Sequence, residues 1–368
     1  MWFRIARVAL CAAALAALTG PAAAQTTIDE LVRETGIKPG PVAMRDTARW
    51  NTPRKILLRG DAELAVEMGE AFPGVDFVSA ASRYWAVEAA GDADAIIGWC
   101  DKDILSAATK VSWVQIFSAG ADRCVPLDPI RSGDIVLTNM QKMSSPTLGE
   151  HGIAMVLALA RGLVAYGKTM ESGEWQRRGP ISEGMQSVAG KTLLVAGLGG
   201  IGTETAKRGA ALGMRVVGTR RSSREGPDYV DYVGLSDELH TLAGEADFIV
   251  NALPLTDETR GLFDAEFFDA AKRGAIFVSV GRGASTVTAD LVAALESGQI
   301  AAAGLDVTDP EPLPADHPLW QMQNVVITPH VAGRGGSLER HMLLVRENIR
   351  RFLAGDALLN VVDPGRGY

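Results

Sequence analysis

Three polar residues with complementary chemistry each follow a predicted strand. Arg282 comes after the apolar run 275–280, and His330 comes after the apolar run 325–327. Glu311 lies in a Pro-rich stretch between them. Because ligands bind beyond the carboxyl ends of parallel strands, we expect the three side chains to converge on one crevice. Each alone also has an ordinary interpretation, as a surface salt bridge, a loop charge or a hydrogen-bonded histidine.

Together the three residue types suit hydride transfer to a 2-keto acid. A guanidinium can hold the carboxylate of such a substrate or polarise its carbonyl. The alkoxide that hydride addition leaves needs a proton, which an imidazolium can donate near neutral pH. A carboxylate that is hydrogen-bonded to the imidazole would orient the ring and favour its charged form.

A glycine-rich turn supplies the second half of this chemistry. It lies between the apolar run 192–196 and a predicted helix that ends near Leu212, which is the order of elements that a dinucleotide pyrophosphate requires. Gly199 lets the backbone approach the phosphates, and Gly202 lets the helix pack close to the strand. The residues predicted to bind the cofactor here are Gly197, Gly199, Gly200, Ile201 and Gly202.

The residues after the next predicted strand, 215–219, indicate which dinucleotide is bound. An acidic residue at this position would hold the ribose 2′-hydroxyl of NAD. The chain has Arg220, Arg221 and Ser222 instead. Because a guanidinium can pair with a 2′-phosphate, we predict NADP(H), with NAD as the second choice. The alternative is an ordinary solvated basic turn.

Short apolar runs that alternate with helical stretches predict an α/β chain. The fold predicted is two Rossmann-like, doubly wound parallel-sheet domains with a cleft between them. Strands are expected at 55–58, 75–78, 95–97, 114–117, 135–138, 192–196, 215–219, 248–251, 275–280, 302–305 and 325–327. Helices are expected at 62–71, 148–163, 288–297 and 338–353, with a polar connection over 167–190.

The first 24 residues are typical of a secretory signal peptide. Arg4 and Arg7 precede an apolar run, and small residues end at Ala24. We therefore expect export, to the periplasm in a Gram-negative source, or a cytoplasmic location if the signal is not used. An uncleaved interfacial helix, or a later start at Met44, is the alternative. Residues 25–53 are predicted to be a leader segment with one short helix over 28–34.

Composition and charge exclude several partners. The chain of 368 residues is 47% hydrophobic and 22% charged and has a net charge of −8, which argues against nucleic acid and anionic membranes. No membrane partner is expected after signal cleavage. The remaining histidines form no metal-binding pattern, so we predict no metal. Cys100 and Cys124 are predicted either to form a disulfide or to remain buried thiols.

The ordered motifs resemble those of the D-isomer-specific 2-hydroxyacid dehydrogenases, and of their glyoxylate/hydroxypyruvate reductase branch in particular. They are GLGGIG, NALPLTDETRGL, VSVGRG, AGLDVTDPEPLP and ITPHVAG. The resemblance implies that Arg282 binds substrate, that His330 is the acid/base and that Glu311 is its partner. Ala119 and Gly120 would hold the substrate carboxylate. Further cofactor contacts would come from Leu253, Pro254, Val280 and Asp306.

The resemblance also implies how the domains are divided. The substrate domain would comprise 54–149 completed by 331–368, with the dinucleotide-binding domain, 150–330, inserted between these two parts. The two crossings would form a hinge, and a helix over 148–166 would contribute to a homodimer. Two rivals remain: an exported nucleotide-binding or sensing protein without turnover, and a dehydrogenase of another one-carbon or phosphorus acid.

Overall fold

The computed structural model describes residues 26–173, 175 and 177–367. The predicted signal peptide, 1–24, lies outside the described residues. Within them the chain forms two parallel sheets with helices around both. The predicted α/β class with two doubly wound sheets is confirmed.

The first sheet has five strands in the order β2-β1-β3-β4-β5. All of its pairings are parallel. Its strands are β1 Lys55–Arg59, β2 Asp76–Ala80, β3 Ala95–Ile97, β4 Trp113–Gln115 and β5 Val136–Thr138. Buried apolar clusters cover both faces, which suits the apolar residues at the centre of β1 and throughout β3.

The second sheet has seven strands in the order β12-β11-β10-β9-β6-β7-β8. It too is covered on both faces by buried apolar side chains. Its strands are β6 Thr192–Ala196, β7 Arg215–Arg220, β8 Tyr232–Leu235, β9 Phe248–Asn251, β10 Ala275–Ser279, β11 Ile300–Leu305 and β12 Val325–Ile327. The strand order reverses between β6 and β9, and this reversal is where ligands bind in doubly wound sheets.

Thirteen α-helices connect these strands or flank them within the described residues. They are α1 Ile28–Thr35, α2 Ala62–Ala71, α3 Arg83–Ala89, α4 Lys102–Ala107, α5 Asp128–Arg131, α6 Ser145–Ala160, α7 Leu163–Thr169, α8 Pro180–Gly184, α9 Gly200–Ala211, α10 Leu239–Ala243, α11 Ala265–Ala270, α12 Thr288–Glu296 and α13 Leu338–Ala354. Among the described residues, no single helix has the length and apolarity needed to cross a bilayer. Taken together, α6 and α7 meet that criterion as a pair bent by 65°.

Two sequence-based predictions of elements were wrong in detail. The single helix expected over 148–163 is two helices, α6 and α7, because Gly162 adopts a left-handed conformation with φ 65°. The connection expected over 167–190 contains the end of α7 and the short helix α8. Strand β8 was not predicted at all.

The leader segment, residues 26–53, packs into the first unit, by which we mean the five-stranded sheet with the helices around it; the second unit is the seven-stranded sheet with its helices. Its helix α1 starts at a capping box formed by Thr27 and Glu30. Leu31 is fully buried in the same cluster as Phe352 of α13. Trp50 donates its indole N–H to the Phe352 carbonyl at 3.0 Å. The leader therefore contributes buried side chains to the core beside α13.

Candidate active site

Three neighbouring strands bring the predicted chemical residues to one edge of the larger sheet. Their register aligns Ser279 of β10 with Leu305 of β11, and Leu305 with Ile327 of β12. Arg282 and His330 each come shortly after the carboxyl end of their own strand. They therefore lie beyond the same edge of the sheet.

The backbone after β10 packs on the segment that leads to Glu311. A Cβ atom at Gly283 would overlap the carbonyl oxygen of Thr308. The Thr288 hydroxyl donates to the Asp309 carbonyl at 2.6 Å. These contacts fix the loop that carries Glu311 against the turn that follows Arg282.

His330 and Glu311 are in direct contact. His330 Nδ1 lies 2.8 Å from Glu311 Oε1, and the two side chains are 44% and 38% exposed. His330 has φ 54°, which is uncommon for a residue other than glycine. Such a backbone conformation persists where the surroundings impose it, and it clusters at active sites. With Nδ1 held by Glu311, the Nε2 atom has no hydrogen-bond partner among the described residues.

Arg282 points toward the first unit. Its Nε donates to Asp122 Oδ1 at 3.1 Å, and its Nη1 donates to the Gly281 carbonyl at 2.9 Å. A Cβ atom at Gly120 would overlap the guanidinium, so only glycine allows this approach. The guanidinium thus joins the larger sheet to the loop after β4.

A buried polar network holds the backbone at Arg282. Asn251 is fully buried at the end of β9, and its Nδ2 donates to the hydroxyls of Ser279 and Ser285 at 3.1 and 2.8 Å. The Ser285 hydroxyl donates to the Arg282 carbonyl at 2.6 Å. Because every member of the network is satisfied, it can fix the direction in which Arg282 leaves the strand.

The loop beside the guanidinium presents backbone donors. Asn139 Nδ2 donates to the Ala119 carbonyl at 2.7 Å, and the Ser118 hydroxyl donates to the Gly120 carbonyl at 2.8 Å. The backbone N–H groups of Ala119 and Gly120 have no acceptor among the described residues. Two such N–H groups beside a guanidinium form a site for an anion such as a carboxylate.

The glycine turn lies at the carboxyl end of β6, where the strand order reverses. Gly197 has φ 92°, and its N–H donates to the Thr219 hydroxyl at 3.1 Å. A Cβ atom at Gly202 would overlap the Gly197 carbonyl oxygen, so α9 approaches the strand only because this residue is glycine. Gly199 borders open space, since a Cβ atom added there would have no atom of the described residues within 4 Å. The turn therefore fits a dinucleotide pyrophosphate at the start of α9.

The basic residues at the end of β7 and just after it differ in their partners. Arg221 pairs with Glu258 at 2.9 Å, and Arg224 pairs with Glu238 at 2.7 Å. The Nε atom of Arg220 is buried and has no hydrogen-bond partner in the described part of the chain. An orphaned guanidinium N–H at the position of the usual acid suits a phosphate, which supports the choice of NADP(H) over NAD.

The remaining predicted cofactor residues fall into two groups. A side-chain methyl of Leu253 lies 2.8 Å from the place that a Cβ atom on Gly197 would occupy, so Leu253 and the adjoining Pro254 border the glycine turn. Ser222 is exposed, and Ile201 is half-buried on the first turn of α9. The Val280 side chain is 1% exposed and packs in the core, so any contact with a ligand would involve its backbone.

The carboxylate of Asp306 makes its hydrogen bonds to other residues of the protein. It is 2% exposed and accepts hydrogen bonds from the Thr328 hydroxyl at 2.6 Å and the Val331 N–H at 2.9 Å. The Ala332 N–H donates to both of its oxygens, and His151 Nε2 lies 3.8 Å away. Asp306 thereby shapes the turn that holds His330.

Several residues of this site carried little signal in the sequence. The pairing of Asp122 with Arg282 joins segments that are 160 positions apart, which no local pattern reveals. Asn251 did carry a signal, since a polar residue ends an otherwise apolar strand. Among residues 26–173, 175 and 177–367, no group of three or more His, Cys, Asp or Glu side chains could hold a metal ion. The absence of a metal stays a prediction.

The two cysteines that follow strands of the first sheet are bonded to each other. Cys100 and Cys124 form a disulfide, with their Cα atoms 5.9 Å apart. This resolves the alternative that the sequence left open. The bond ties the segment after β3 to the segment after the Ala119–Gly120 loop.

A doubly wound sheet with this turn, and with an arginine and a Glu–His pair beyond its edge, defines a nicotinamide-dependent oxidoreductase. The family model described as D-isomer specific 2-hydroxyacid dehydrogenase, NAD binding domain, matches residues 153–332. The chain is 32% identical to a glyoxylate reductase of Korarchaeum cryptofilum, over 77% of this chain and 86% of the relative. It belongs to the D-isomer-specific 2-hydroxyacid dehydrogenase family.

Other relatives and solved structures agree with this assignment. A glyoxylate/hydroxypyruvate reductase B of Escherichia fergusonii is 33% identical over 75% of this chain and 86% of its own length. A Xanthobacter autotrophicus family member, solved with NADPH and MES, has a TM-score of 0.73 and 30% identity and covers 86% of this chain and 100% of its own. A Sinorhizobium meliloti NADPH-dependent glyoxylate/hydroxypyruvate reductase, solved with NADP and sulfate, has a TM-score of 0.73, 29% identity and the same coverage.

Proposed function

We propose that this protein is an NADP(H)-dependent reductase of small 2-keto acids that yields the D-hydroxy acid where the product is chiral. Glyoxylate and hydroxypyruvate are the proposed substrates. The observation that carries the proposal is the His330–Glu311 pair at 2.8 Å, which lies beyond the same sheet edge as Arg282. The names of the relatives support the substrate class.

The cofactor supplies a hydride from its reduced nicotinamide when it is bound. The turn at Gly197, Gly199 and Gly202 would hold its pyrophosphate, with Gly200 and Ile201 at the start of α9. Arg220 would pair with the 2′-phosphate, and Arg221 and Ser222 flank that position. The solved relatives that contain NADPH or NADP support this choice. NAD remains the second choice.

The substrate carboxylate would bind at the loop after β4. The N–H groups of Ala119 and Gly120 and the guanidinium of Arg282 offer donors at this loop. Binding there would bring the keto carbon toward the cleft between the two units. A separate cavity of about 320 Å³ lies nearby between Asp122 and Arg221, and Arg282, Glu311 and His330 are not among the residues that line it.

His330 would supply the proton. As the keto carbon accepts the hydride, its oxygen takes a proton from His330 Nε2 and becomes the hydroxyl of the product. Glu311 would hold Nδ1 and so keep the ring oriented for the transfer. Because the His330 side chain is 44% exposed, it can recover a proton from solvent after the product leaves. In the reverse direction the same imidazole would act as the base.

The division into units is part of the proposal. Residues 54–149 with 331–368 would form the substrate domain, and 150–330 would form the dinucleotide-binding domain. The crossing near Val331 lies next to the Asp306 carboxylate, which accepts from the N–H groups of Val331 and Ala332. We propose that motion about the crossings closes the cleft and excludes water from the hydride step.

Export and dimerisation complete the proposal. The signal-like segment at 1–24 supports secretion, and the Cys100–Cys124 disulfide suits an oxidising compartment. Leu163 at the start of α7 and Met170 and Trp175 after its end are 61%, 79% and 93% exposed, and large exposed apolar side chains are typical of a subunit interface. Cell fractionation tests the location, and sedimentation tests the dimer.

The function itself is tested with purified protein that begins at Gln25. It is mixed with NADPH and a panel of 2-keto acids, and the absorbance of the reduced cofactor is followed. We expect oxidation of NADPH with glyoxylate or hydroxypyruvate. Tight NADPH binding without turnover on any substrate would instead favour a sensing protein of the same fold.

A further inference from the structure

We infer that the leader segment takes part in cofactor binding, through a cation cluster made of Lys38, Lys142 and Arg220 that receives a phosphate group of the dinucleotide. The inference rests on the proposed function, and it adds two residues and one segment to the site. These residues would contact the phosphates of the cofactor and not the nicotinamide or the substrate.

Lys142 lies between the leader and the start of α9. Its Nζ donates to the carbonyls of Thr35 and Gly36 at 2.7 and 3.3 Å, where α1 ends. Its Cγ atom lies 3.1 Å from the place that a Cβ atom on Gly200, the first residue of α9, would occupy. One lysine therefore touches both the leader and the helix whose N-terminus faces the pyrophosphate.

Within the described chain, the three cations are gathered without a counter-ion. Burial lowers the pKa of Lys142, and the charges of Lys38 and Arg220 lower it further. No carboxylate of the described residues forms a salt bridge with any of the three. Arg221 and Arg224, by contrast, pair with Glu258 and Glu238.

Repulsion among like charges is unfavourable in the free protein, and the attraction of each cation to an anion that binds among them offsets it. A phosphate carries enough negative charge and enough acceptor oxygens to engage several cations at once. The Nε of Arg220, which is buried and has no partner among the described residues, points to the same chemistry. Two phosphates of NADPH could fill the role, the 2′-phosphate and the pyrophosphate.

The leader supplies its cation from a fixed position. Ile37 is 4% exposed in the core beside α13, and the Gly40 N–H donates to the Leu358 carbonyl at 2.8 Å. Lys38 stands between these two anchored residues and is itself exposed. The Lys38 backbone is therefore held two residues from Gly36, whose carbonyl Lys142 Nζ contacts, while the Lys38 side chain is accessible to a ligand.

The test is equilibrium binding of NADPH and NADH to the Gln25 protein, followed by cofactor fluorescence. Lys142→Met and Lys38→Met remove a charge and keep the aliphatic stem. Lys110→Met is the matched control, since Lys110 precedes β4 at the opposite edge of the sheet. We expect the two variants to raise the Kd of NADPH by about three- to tenfold and the control to leave it unchanged.

The two cofactors distinguish the phosphates. A rise in Kd for NADPH alone assigns the cluster to the 2′-phosphate, and an equal rise for NADH assigns it to the pyrophosphate. Either result supports the inference. Lys142 also holds the end of α1, so the thermal unfolding of Lys142→Met is measured alongside its cofactor affinity. Lys38 is exposed, so Lys38→Met tests the charge without removing that structural contact.

The inference is overturned if both lysine variants bind NADPH and NADH as wild type does. If Lys142→Met melts at a lower temperature but binds both cofactors normally, Lys142 only caps α1. That outcome also contradicts the inference. If the wild-type protein itself fails to bind NADPH, it is the proposed function that fails. If the wild-type protein turns over normally and the lysine variants bind the cofactors with wild-type affinity, only the role of the leader is rejected, and the proposed function stands.

Discussion

Asp122 and Arg282 form an ion pair between the two units, with Nε and Oδ1 3.1 Å apart. The pair uses the Nε edge of the guanidinium, while the Nη2 end lies against Gly120. Both side chains are about one-quarter exposed, so the pair is partly shielded from solvent. Asp122 is therefore placed to orient Arg282 toward the carboxylate site that we propose at the Ala119–Gly120 loop.

Replacing Asp122 by Asn should weaken substrate binding more than the chemical step. The variant keeps the shape and removes the charge that aligns the guanidinium. A charge-assisted hydrogen bond at a partly exposed position corresponds to about tenfold in KM for the keto acid. Steady-state kinetics measures KM and kcat, and NADPH titration checks that the cofactor site is unaffected.

Asp128→Asn is the control for that experiment, because Asp128 pairs with Arg131 on an exposed surface of the same segment. It should leave KM unchanged. A lower melting temperature of Asp122→Asn with wild-type KM would mean that Asp122 only links the two units.

Replacing His330 by Asn should remove most of the turnover. Loss of a general acid lowers kcat by about 10²- to 10⁴-fold. Glu311→Gln should lower kcat by a smaller factor, about tenfold, because the imidazole remains but loses its charged partner. NADPH affinity should stay at the wild-type value in both variants, which separates a chemical defect from a folding defect.

Glu296→Gln controls for the loss of an exposed carboxylate, since Glu296 ends α12 at the opposite edge of the sheet. Wild-type kcat in His330→Asn would reject the assigned role of the histidine.

Arg220→Met should change the cofactor preference. Loss of the guanidinium should raise the Kd of NADPH by about tenfold or more and leave that of NADH nearly unchanged, because only NADPH carries the 2′-phosphate. Arg215→Met is the control at the other end of the same strand. Equal effects of Arg220→Met on both cofactors would contradict an assignment to the 2′-phosphate.

Much of the fold could be predicted from apolar runs alone. Strands β3, β6, β9 and β12 begin and end at the predicted residues, because they are short, buried and bounded by polar residues or glycine. Strand β8 escaped prediction because it lies at the edge of the sheet. Tyr232 there is 40% exposed, so the strand lacks a strong apolar pattern.

Only some residues of the candidate site could be predicted from the sequence. Arg282, Glu311 and His330 each follow a strand, so the topology of a parallel sheet predicts their convergence. The partners that position them come from distant segments. Asp122 and Lys142 lie in loops of the first unit, and nothing local to those loops indicates that Arg282 or α9 will pack against them.

The disulfide should add measurable stability. Cys100 and Cys124 are separated by 24 positions in the sequence, and closing a loop of that length contributes about 3 kcal/mol to the free energy of unfolding. Cys124→Ser should lower the free energy of unfolding by about this amount in urea denaturation. Cys100→Ser, and the double variant, should match it, because each removes the same bond.

Reductant provides the control for the cysteine variants. It should lower the stability of the wild-type protein toward that of Cys124→Ser and leave the variant unchanged. A wild-type protein that is equally stable with and without reductant would contradict a stabilising bond.

Glu238 should give the protein a pH-dependent contribution to stability. Hydrogen bonds from Arg224, the Leu235 N–H and Tyr232 lower the pKa of Glu238 from 4.5 to about 2. Because the pKa is lower in the folded state, the contribution is present in full above about pH 4.5 and is lost as the pH falls toward 2. The stability difference between wild type and Glu238→Gln should therefore shrink over that interval.

Urea denaturation at a series of pH values measures this difference, with Glu245→Gln as the exposed control on the same unit. The same variant also tests the cofactor site. Glu238 pairs with Arg224, whereas the Nε of Arg220, at the end of β7, has no partner among the described residues. Freed from its partner, Arg224 adds a mobile positive charge near the end of β7. NADPH binding to Glu238→Gln should then be as tight as to wild type or tighter, and weaker binding would show that Glu238 supports the turn that carries Arg220.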